Sequence, residues 1–258
     1  MLPRETQTTN LALLRVCSIL LIVNGLNGVA GLLWRLFTTG IDEARMFFVL
    51  LPFITALVGI IAFVRKSSVS LKIYALLIIL MLVQQIMGAT IMPHSTTVHL
   101  DPVDIAKKIA NALLSFKTIF VVAVFFVDSR KVASPGKESR LNVGLLRFCA
   151  AFFIVRGLNE IVNASYDMSA MEMSNLEEAF CWLAIVLGGI SIVAGVLSLV
   201  LKKSLVLKIY AVFAVLQLLW HLVQYTPSVE MLISVFLNPL FVAVYGTFLI
   251  ETKAPREA

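Results

Sequence analysis

Residues 13–30 read LLRVCSILLIVNGLNGVA, and residues 145–162 read LLRFCAAFFIVRGLNEIV, so that 9 of 18 positions are identical. A second pair of segments follows in the same order, because VRKSSVSLKIYA at 64–75 and VLKKSLVLKIYA at 200–211 match at 8 of 12 positions. Chance would give roughly two identities in 18 positions of such leucine-rich sequence. The chain is therefore predicted to be an internal duplication.

The composition is that of a protein embedded in a membrane. Of the 258 residues, 60% are hydrophobic and only 14% are charged. Soluble domains are about 45–50% apolar and about 25% charged. A soluble fold could not keep so much apolar surface away from water, so the composition excludes a soluble enzyme, a secreted domain and a disordered chain.

The apolar segments have the length of transmembrane helices. A bilayer core of about 30 Å requires roughly 20 apolar residues per helix, and these runs lack the strict alternation of transmembrane strands. The predicted fold is all-α, a polytopic transmembrane bundle of about eight helices. Its predicted spans are 16–37, 46–64, 73–92, 109–127, 148–163, 180–201, 209–226 and 231–250.

The duplication divides these spans equally. Residues 1–128 form the first predicted four-helix membrane repeat (the first half), residues 143–258 form the second (the second half), and residues 129–142 form a polar cytoplasmic linker. An even number of spans gives both repeats the same orientation, as in transporters built from parallel repeats. The alternative interpretation is a small four-helix bundle duplicated into a covalent dimer.

Small residues at matching places predict close helix contacts. Thr55 and Gly59 are four residues apart in the second span, and Ser191 and Gly195 are their equivalents in the sixth. This spacing lets transmembrane helices approach closely, which predicts a packing seam in each half.

The basic residues predict the orientation. Of the 21 Lys and Arg residues, 15 lie on the side that carries both termini and 4 on the other side. Cytoplasmic loops are enriched in Lys and Arg, so we expect an integral membrane protein with both termini cytoplasmic, in the plasma membrane or an endomembrane. The net charge of +6 thus reflects topology, and the expected partner is the lipid bilayer, not nucleic acid.

Polar side chains recur at a similar depth, about 18 Å from the cytoplasmic ends of the spans at a rise of 1.5 Å per residue. In such a layer, Asn27 is expected to contact Gln85 and Asn159 to contact His221. The layer is interpreted either as hydrogen-bonded packing between helices or as a pathway for a polar solute. This candidate intramembrane polar site comprises Asn27, Gln85, Lys117, Arg156, Asn159, Glu160, His221 and Asn238.

Two features of this layer have alternative interpretations. Arg156 and Glu160 are four residues apart, so they are expected to form an ion pair that either fixes helix register or belongs to a functional site. The Asn238-Pro239 pair lies inside the eighth predicted span. Proline there predicts a simple kink or, alternatively, a broken helix that exposes its backbone to a solute.

Cys17 and Cys149 occupy equivalent positions in the two LLRxC segments. Their juxtamembrane position suits S-palmitoylation, and the alternative is that both are small buried residues.

Motifs for chemistry are absent from the sequence, which contains no HExxH, Cys/His cluster or Walker A loop. No catalytic residue, metal site or cofactor is predicted. The expected function is therefore that of a non-catalytic scaffold, accessory subunit or trafficking factor that binds another membrane protein. The alternative is a small solute or ion transporter or channel that uses the polar layer.

Overall fold

The computed structural model describes residues 10–38, 46–91, 102–127, 142–170, 173–224, 235 and 237–251. Every regular element in these ranges is helical. The helices are α1 (Leu11–Thr38), α2 (Met46–Arg65), α3 (Val69–Ile91), α4 (Pro102–Leu113), α5 (Phe116–Phe126), α6 (Val143–Ala170), α7 (Asn175–Leu201), α8 (Leu205–Gln224) and α9 (Pro239–Phe248).

Four of the described helical segments are long and apolar enough to cross a membrane, namely Leu11–Trp34, Val69–Met87, Ile105–Phe126 and Asn175–Leu201. Shorter apolar helices cover Leu50–Arg65, Leu205–Leu218 and Pro239–Phe248. The 28-residue helix α6 is the most polar of the long helices because it carries Arg147, Arg156, Glu160 and Asp167. The sequence thus correctly predicted an all-α protein with helices fit for a membrane.

Large aliphatic side chains cover the outward faces of the bundle. Val64 and Val200 are each 71% exposed, and Ile73 and Ile209 are each 65% exposed. Such a surface would be costly in water and is the surface expected against lipid.

Glycines bring α1 against α2 and α6 against α7, and these are the two most extensive helix contacts among the described residues. A Cβ added at Gly59 would lie 2.7 Å from the Ser18 carbonyl oxygen, and one added at Gly195 would lie 2.8 Å from the Ala150 carbonyl oxygen. Both distances are far below van der Waals contact, so the helix backbones touch. The predicted packing seam is confirmed in both halves.

One residue in the left-handed backbone conformation follows the second helix of each half. Lys66 and Lys202 both have φ of 51°, a backbone conformation that stops a helix, and α3 and α8 begin three residues later. Buried Ser68 and Ser204 directly precede these helices, and each carbonyl accepts the first helical hydrogen bond. Each turn therefore reverses the chain with very few residues.

Asn10 and Asn142 join the starts of α1 and α6. Their side-chain amides donate to each other reciprocally, with both Nδ2 to Oδ1 distances 2.9 Å. Each Oδ1 also accepts a backbone N–H at the start of its own helix, from Leu13 at 3.1 Å and from Leu145 at 3.0 Å. The two helices are thus capped and cross-linked by the same pair of amides.

The backbone extends this junction. The Asn10 N–H donates to the Val127 carbonyl at the end of α5 (2.7 Å), and the Asn142 N–H donates to the Ile250 carbonyl beyond α9 (2.9 Å). One continuous core of buried side chains surrounds the junction and draws residues from both halves. The described helices therefore pack as one body around the starts of α1 and α6.

The glycine seams predict that alanine substitution lowers stability at two helical glycines and is tolerated at two others. A Cβ at Gly25 would lie 2.5 Å from the Ala56 nitrogen, and one at Gly188 would lie 2.6 Å from the Gly157 carbonyl oxygen. A Cβ at Gly31 or Gly189 would meet nothing within 4 Å. Gly25→Ala and Gly188→Ala are expected to destabilise the protein by about 1–3 kcal/mol through overpacking, measured by thermal unfolding in detergent. Gly31→Ala and Gly189→Ala, the matched controls, should leave the melting temperature unchanged or slightly higher. An equal response of all four variants would contradict the seams.

The amide pair predicts non-additive mutations. Asn10→Ala or Asn142→Ala removes a helix cap and leaves the partner's amide unsatisfied, so each should cost about 1–3 kcal/mol. The double variant should cost clearly less than the sum of the two single variants, because neither amide is then left without its partner. The free energies of unfolding of the wild type, the two single variants and the double variant form a double-mutant cycle. Asn175→Ala, at the exposed start of α7, is the control. Strict additivity would show that the two amides are not coupled.

Candidate functional site

Arg156 and Glu160 form the predicted ion pair on α6. The Arg156 Nε lies 2.8 Å from the Glu160 Oε1, and the side chains are 21% and 22% exposed. The pair leaves part of each group unused, because the Arg156 Nη1 and the Glu160 Oε2 are buried without a hydrogen-bond partner. Leaving such an atom unpaired costs about 1–3 kcal/mol, so it requires an explanation.

Helix α8 contributes two more polar groups. Tyr210 is 4% exposed, its ring packs edge-on against Phe153 with centroids 5.2 Å apart, and its hydroxyl lies within the electrostatic range of Arg156 and Glu160. The neighbouring Ser191 hydroxyl donates to the Phe153 carbonyl at 2.7 Å and lies beside the Tyr210 hydroxyl, which makes no hydrogen bond of normal geometry. Gln217, two turns further along the same helix face, also has a buried Oε1 without a partner. We call Arg156, Glu160, Tyr210 and Gln217 the α6–α8 cluster.

The first half fills the equivalent positions differently. There the Tyr74 hydroxyl is hydrogen-bonded to the Thr55 hydroxyl, so the tyrosine is satisfied. Asn24, Gly28 and Met81 stand at the positions of Arg156, Glu160 and Gln217. The ion pair and the unused polar atoms around it are therefore particular to the second half.

A second polar network joins α4 to α6. Lys107 lies 3.1 Å from Asp167 and 3.6 Å above the centre of the Tyr166 ring. The Asn111 amide donates to the Asn163 Oδ1 at 3.2 Å. We call this the α4–α6 network, and it ties α4 of the first half to the last turns of α6 in the second.

Asn159 lies beside this network. The Asn163 amide donates to the Asn159 carbonyl oxygen at 2.9 Å, whereas the Asn159 Oδ1 is buried without a partner. Sequence analysis singled out Asn159 but missed Asn163 and Asn111. The spacing of Asn159 and Asn163 by one helical turn was the available signal on α6. Nothing in the sequence pointed to Asn111 in α4.

The expected contact between Asn27 and Gln85 is not formed. Asn27 is partly buried in α1, whereas Gln85 lies on the exposed face of α3 beside Gln84, which is also exposed. Equal depth in two helices does not place two side chains on facing sides, which is why the expectation was wrong. Lys117 lies in the first turn of α5, partly exposed and without an ion-pair partner among the described residues.

The Asn238-Pro239 pair begins a helix. Asn238 is extended, its side-chain oxygen accepts the Leu240 N–H at 2.9 Å, and Pro239 is the first residue of α9. Proline is favoured there because its missing N–H has no helical partner to lose. The chain is helical at Val235 but not at residues 237 and 238, so the helix is broken before Pro239 and not simply kinked, and the Asn238 amide is engaged as a helix cap. The side chain of His221 falls outside the described residues, so its contact with Asn159 remains a prediction.

Cys17 and Cys149 are completely buried and lie near each other in the core. The Cys149 thiol faces the Ala243 carbonyl oxygen at 3.7 Å and packs against Gly246 of α9. A thiol with no exposed surface favours the interpretation as a small core residue over the interpretation as an acylation site.

A polar contact beyond the end of α9 involves Glu251. The Glu251 carboxylate accepts hydrogen bonds from the Ser204 hydroxyl and from the Lys208 ammonium, the latter at 3.2 Å. These two donors hold the pKa of the Glu251 carboxyl below its usual value. The contact ties the segment that follows α9 to the start of α8.

No group of three or more His, Cys, Asp and Glu side chains that could hold a metal ion occurs within the described ranges. No protein-family model, curated protein or solved structure matches the chain. The described fold and site thus define a helical protein with four candidate membrane-crossing segments in the described ranges and a partly buried polar cluster on α6 and α8.

Glu251 predicts a pH dependence with a definite sign. Because its folded-state pKa is depressed, the carboxylate contributes stability above the usual carboxyl pKa, and this contribution is lost as the pH falls through the folded value. Glu251→Gln is expected to lower the melting temperature slightly at about pH 7, with the difference from wild type shrinking towards about pH 3. The effect is small because the exposed carboxylate is screened by solvent. Glu178→Gln, an exposed glutamate outside this contact, is the control, and a difference that grows on acidification would contradict the contact.

Proposed function

We propose that the chain is a multi-pass integral membrane protein of eight spans, built as two tandem parallel four-helix repeats joined at residues 129–142. Equivalent residues with equivalent roles support the repeats. Asn10 and Asn142 cap their helices, Gly59 and Gly195 pack against the same carbonyl position of the preceding helix, and Lys66 and Lys202 share one left-handed turn. The excess of Lys and Arg on one side supports cytoplasmic termini.

We further propose that the protein acts without catalytic machinery as a scaffold, accessory subunit or trafficking factor. The observation that carries this proposal is the position of Gln84 and Gln85. Both amides are exposed on α3, inside the candidate span Val69–Met87. Amides facing hydrocarbon are unsatisfied, and glutamine is a common hydrogen-bonding residue between transmembrane helices. A helix of another membrane protein would satisfy both.

The neighbouring side chains fit such a partner. Leu80 and Met87 flank the glutamines on the exposed side of α3 and are 68% and 50% exposed. Together they give a helix surface with apolar contacts around a polar centre, which is the pattern of interfaces between membrane helices. The partner proposed is thus a transmembrane helix with polar side chains of its own.

Site-specific photo-crosslinking in native membranes tests this proposal. A photoreactive residue at position 85 should yield an adduct of one defined mass, whereas one at position 209, an exposed aliphatic position on α8, should not. Gln84→Leu combined with Gln85→Leu should abolish the adduct formed from position 87 and release the partner in mild detergent. Recovery of the wild-type protein as a lone monomer, with no adduct at position 85, would contradict the scaffold function.

The α6–α8 cluster favours a second candidate function, a small solute transporter. Intramembrane ionisable groups in transporters line substrate pathways, and parallel repeats are one transporter architecture. The ion pair between Arg156 and Glu160 has unused polar atoms on both partners, and the side chains are not fully sealed from the surface. A polar solute between α6 and α8 would use these atoms.

A further inference from the structure

Both halves place an exposed lysine in a left-handed turn. Lys66 follows α2 and Lys202 follows α7, each with φ of 51°. A residue with a Cβ is strained in this conformation, and glycine or asparagine is the usual residue when a helix ends in this way. Positive charge near the end of a helix is favourable, but Arg65 and Lys203 already supply it at the neighbouring positions. The two strained lysines therefore require another explanation.

Each lysine has a second exposed cation beside it, so that Arg65–Lys66 and Lys202–Lys203 form two basic turns. Neither basic turn has an ion pair or a side-chain hydrogen bond to any residue that the structure describes. The Glu251 carboxylate, at the nearby start of α8, is already engaged by Ser204 and Lys208. The positive charges of the basic turns are thus not balanced within the described part of the chain.

The two basic turns lie at the same end of the bundle. In the first half, Gly59 lies seven residues before Lys66 and packs against Ser18. Ser18 in turn lies eight residues after Asn10, and α1 and α2 run antiparallel, so Lys66 is level with Asn10. The second half has the same spacing, from Lys202 through Gly195 and Ala150 to Asn142. Because the amides of Asn10 and Asn142 are hydrogen-bonded to each other, both turns belong to one end of the protein.

Exposed aliphatic side chains flank the basic turns. Val64 and Val200 precede them and are each 71% exposed. Val69 and Leu205 follow them and are 61% and 63% exposed. Basic side chains beside uncovered aliphatic ones are typical of the boundary between hydrocarbon and water, where lysine and arginine extend into the headgroup region. The two kinds of side chain together match a molecule that has a negatively charged headgroup and acyl chains.

We propose that each basic turn binds one anionic phospholipid of the surrounding bilayer. The lysine and its basic neighbour would donate hydrogen bonds to the headgroup phosphate and balance its charge, while the acyl chains would cover the flanking aliphatic side chains. A free anion would match the charges but not the aliphatic surface, and a zwitterionic lipid would leave the positive charge of the turn uncompensated. This inference rests on the proposed embedding in a membrane and is independent of both candidate functions.

Native mass spectrometry of the purified full-length protein in detergent tests the proposal. Phosphatidylglycerol is the probe, phosphatidylcholine is the control lipid, and inorganic phosphate separates a lipid site from a site for any anion. The wild type is expected to retain two phosphatidylglycerol molecules that phosphatidylcholine does not displace. Its melting temperature should rise more with phosphatidylglycerol than with phosphatidylcholine, and inorganic phosphate should leave it unchanged.

Asparagine substitutions separate lipid binding from folding. Asparagine tolerates the left-handed conformation and carries no charge, so Lys66→Asn combined with Lys202→Asn should leave the melting temperature without lipid unchanged or slightly higher. The same double variant is expected to bind phosphatidylglycerol about fivefold more weakly, because one positive charge is lost at each turn. Lys108→Asn removes an exposed lysine from α4, at the opposite end of the bundle, and should bind this lipid as the wild type does.

Several results would overturn the proposal. They are equal retention of the two lipids by the wild type, stabilisation by inorganic phosphate equal to that by phosphatidylglycerol, undiminished binding by the double variant, and an equal loss in Lys108→Asn. A lower melting temperature of the double variant without lipid would assign the lysines a role in ending their helices instead. A wild type that enters phosphatidylcholine nanodiscs without preferring phosphatidylglycerol would remove the lipid sites alone, whereas failure to enter nanodiscs would contradict the membrane embedding itself.

Discussion

Backbone contact at glycine is the constraint on which the rest of the structure depends. In a bilayer the lipid tails are as apolar as leucine, so helices associate through close van der Waals packing and hydrogen bonds. Gly25 against Ala56 and Gly157 against Gly188 let two long helix pairs form in this way. Each pair then presents fixed surfaces, onto which the remaining helices of each half can pack. A side chain at any of these glycines would push the two helix backbones apart and displace the helices that pack on them.

The partly buried ion pair lies beside the same seam. Arg156 directly precedes Gly157 in α6 and Glu160 follows it by three residues, so both side chains flank the face on which Gly157 contacts α7. The cost of burying two charges is reduced by their mutual contact but is not removed, because one atom of each remains unpaired. The first half keeps the seam without the charges. Close packing and intramembrane charge are therefore separate features that the second half combines.

Local patterns in the sequence predicted the local features of the structure. The all-helical class, the seams at Gly59 and Gly195 and the Arg156–Glu160 pair depend on spacing along one helix or on small residues, and these were confirmed, whereas the predicted span 109–127 is divided between α4 and α5. The orientation of Gln85 and the capping role of Asn238 depend on how helices rotate against each other and on where a helix begins. Hydrophobic periodicity is weak in helices that are apolar on all sides, so it could not fix those rotations. The amide pair could have been predicted from the sequence, because the match between the two segments extends upstream to Asn10 and Asn142.

The junction between Asn10 and Asn142 has a consequence for the order of assembly during synthesis. The Asn10 backbone can close the first half as soon as Val127 has emerged, whereas its side-chain NH2 group must wait for a residue made 132 positions later. Until then only the side-chain oxygen of Asn10, which accepts the Leu13 N–H, has a protein partner. Helices α1–α5 thus form a bundle with one unsatisfied amide donor, and the arrival of Asn142 at the start of α6 satisfies it. The second half supplies the partner for the residue that caps the first helix.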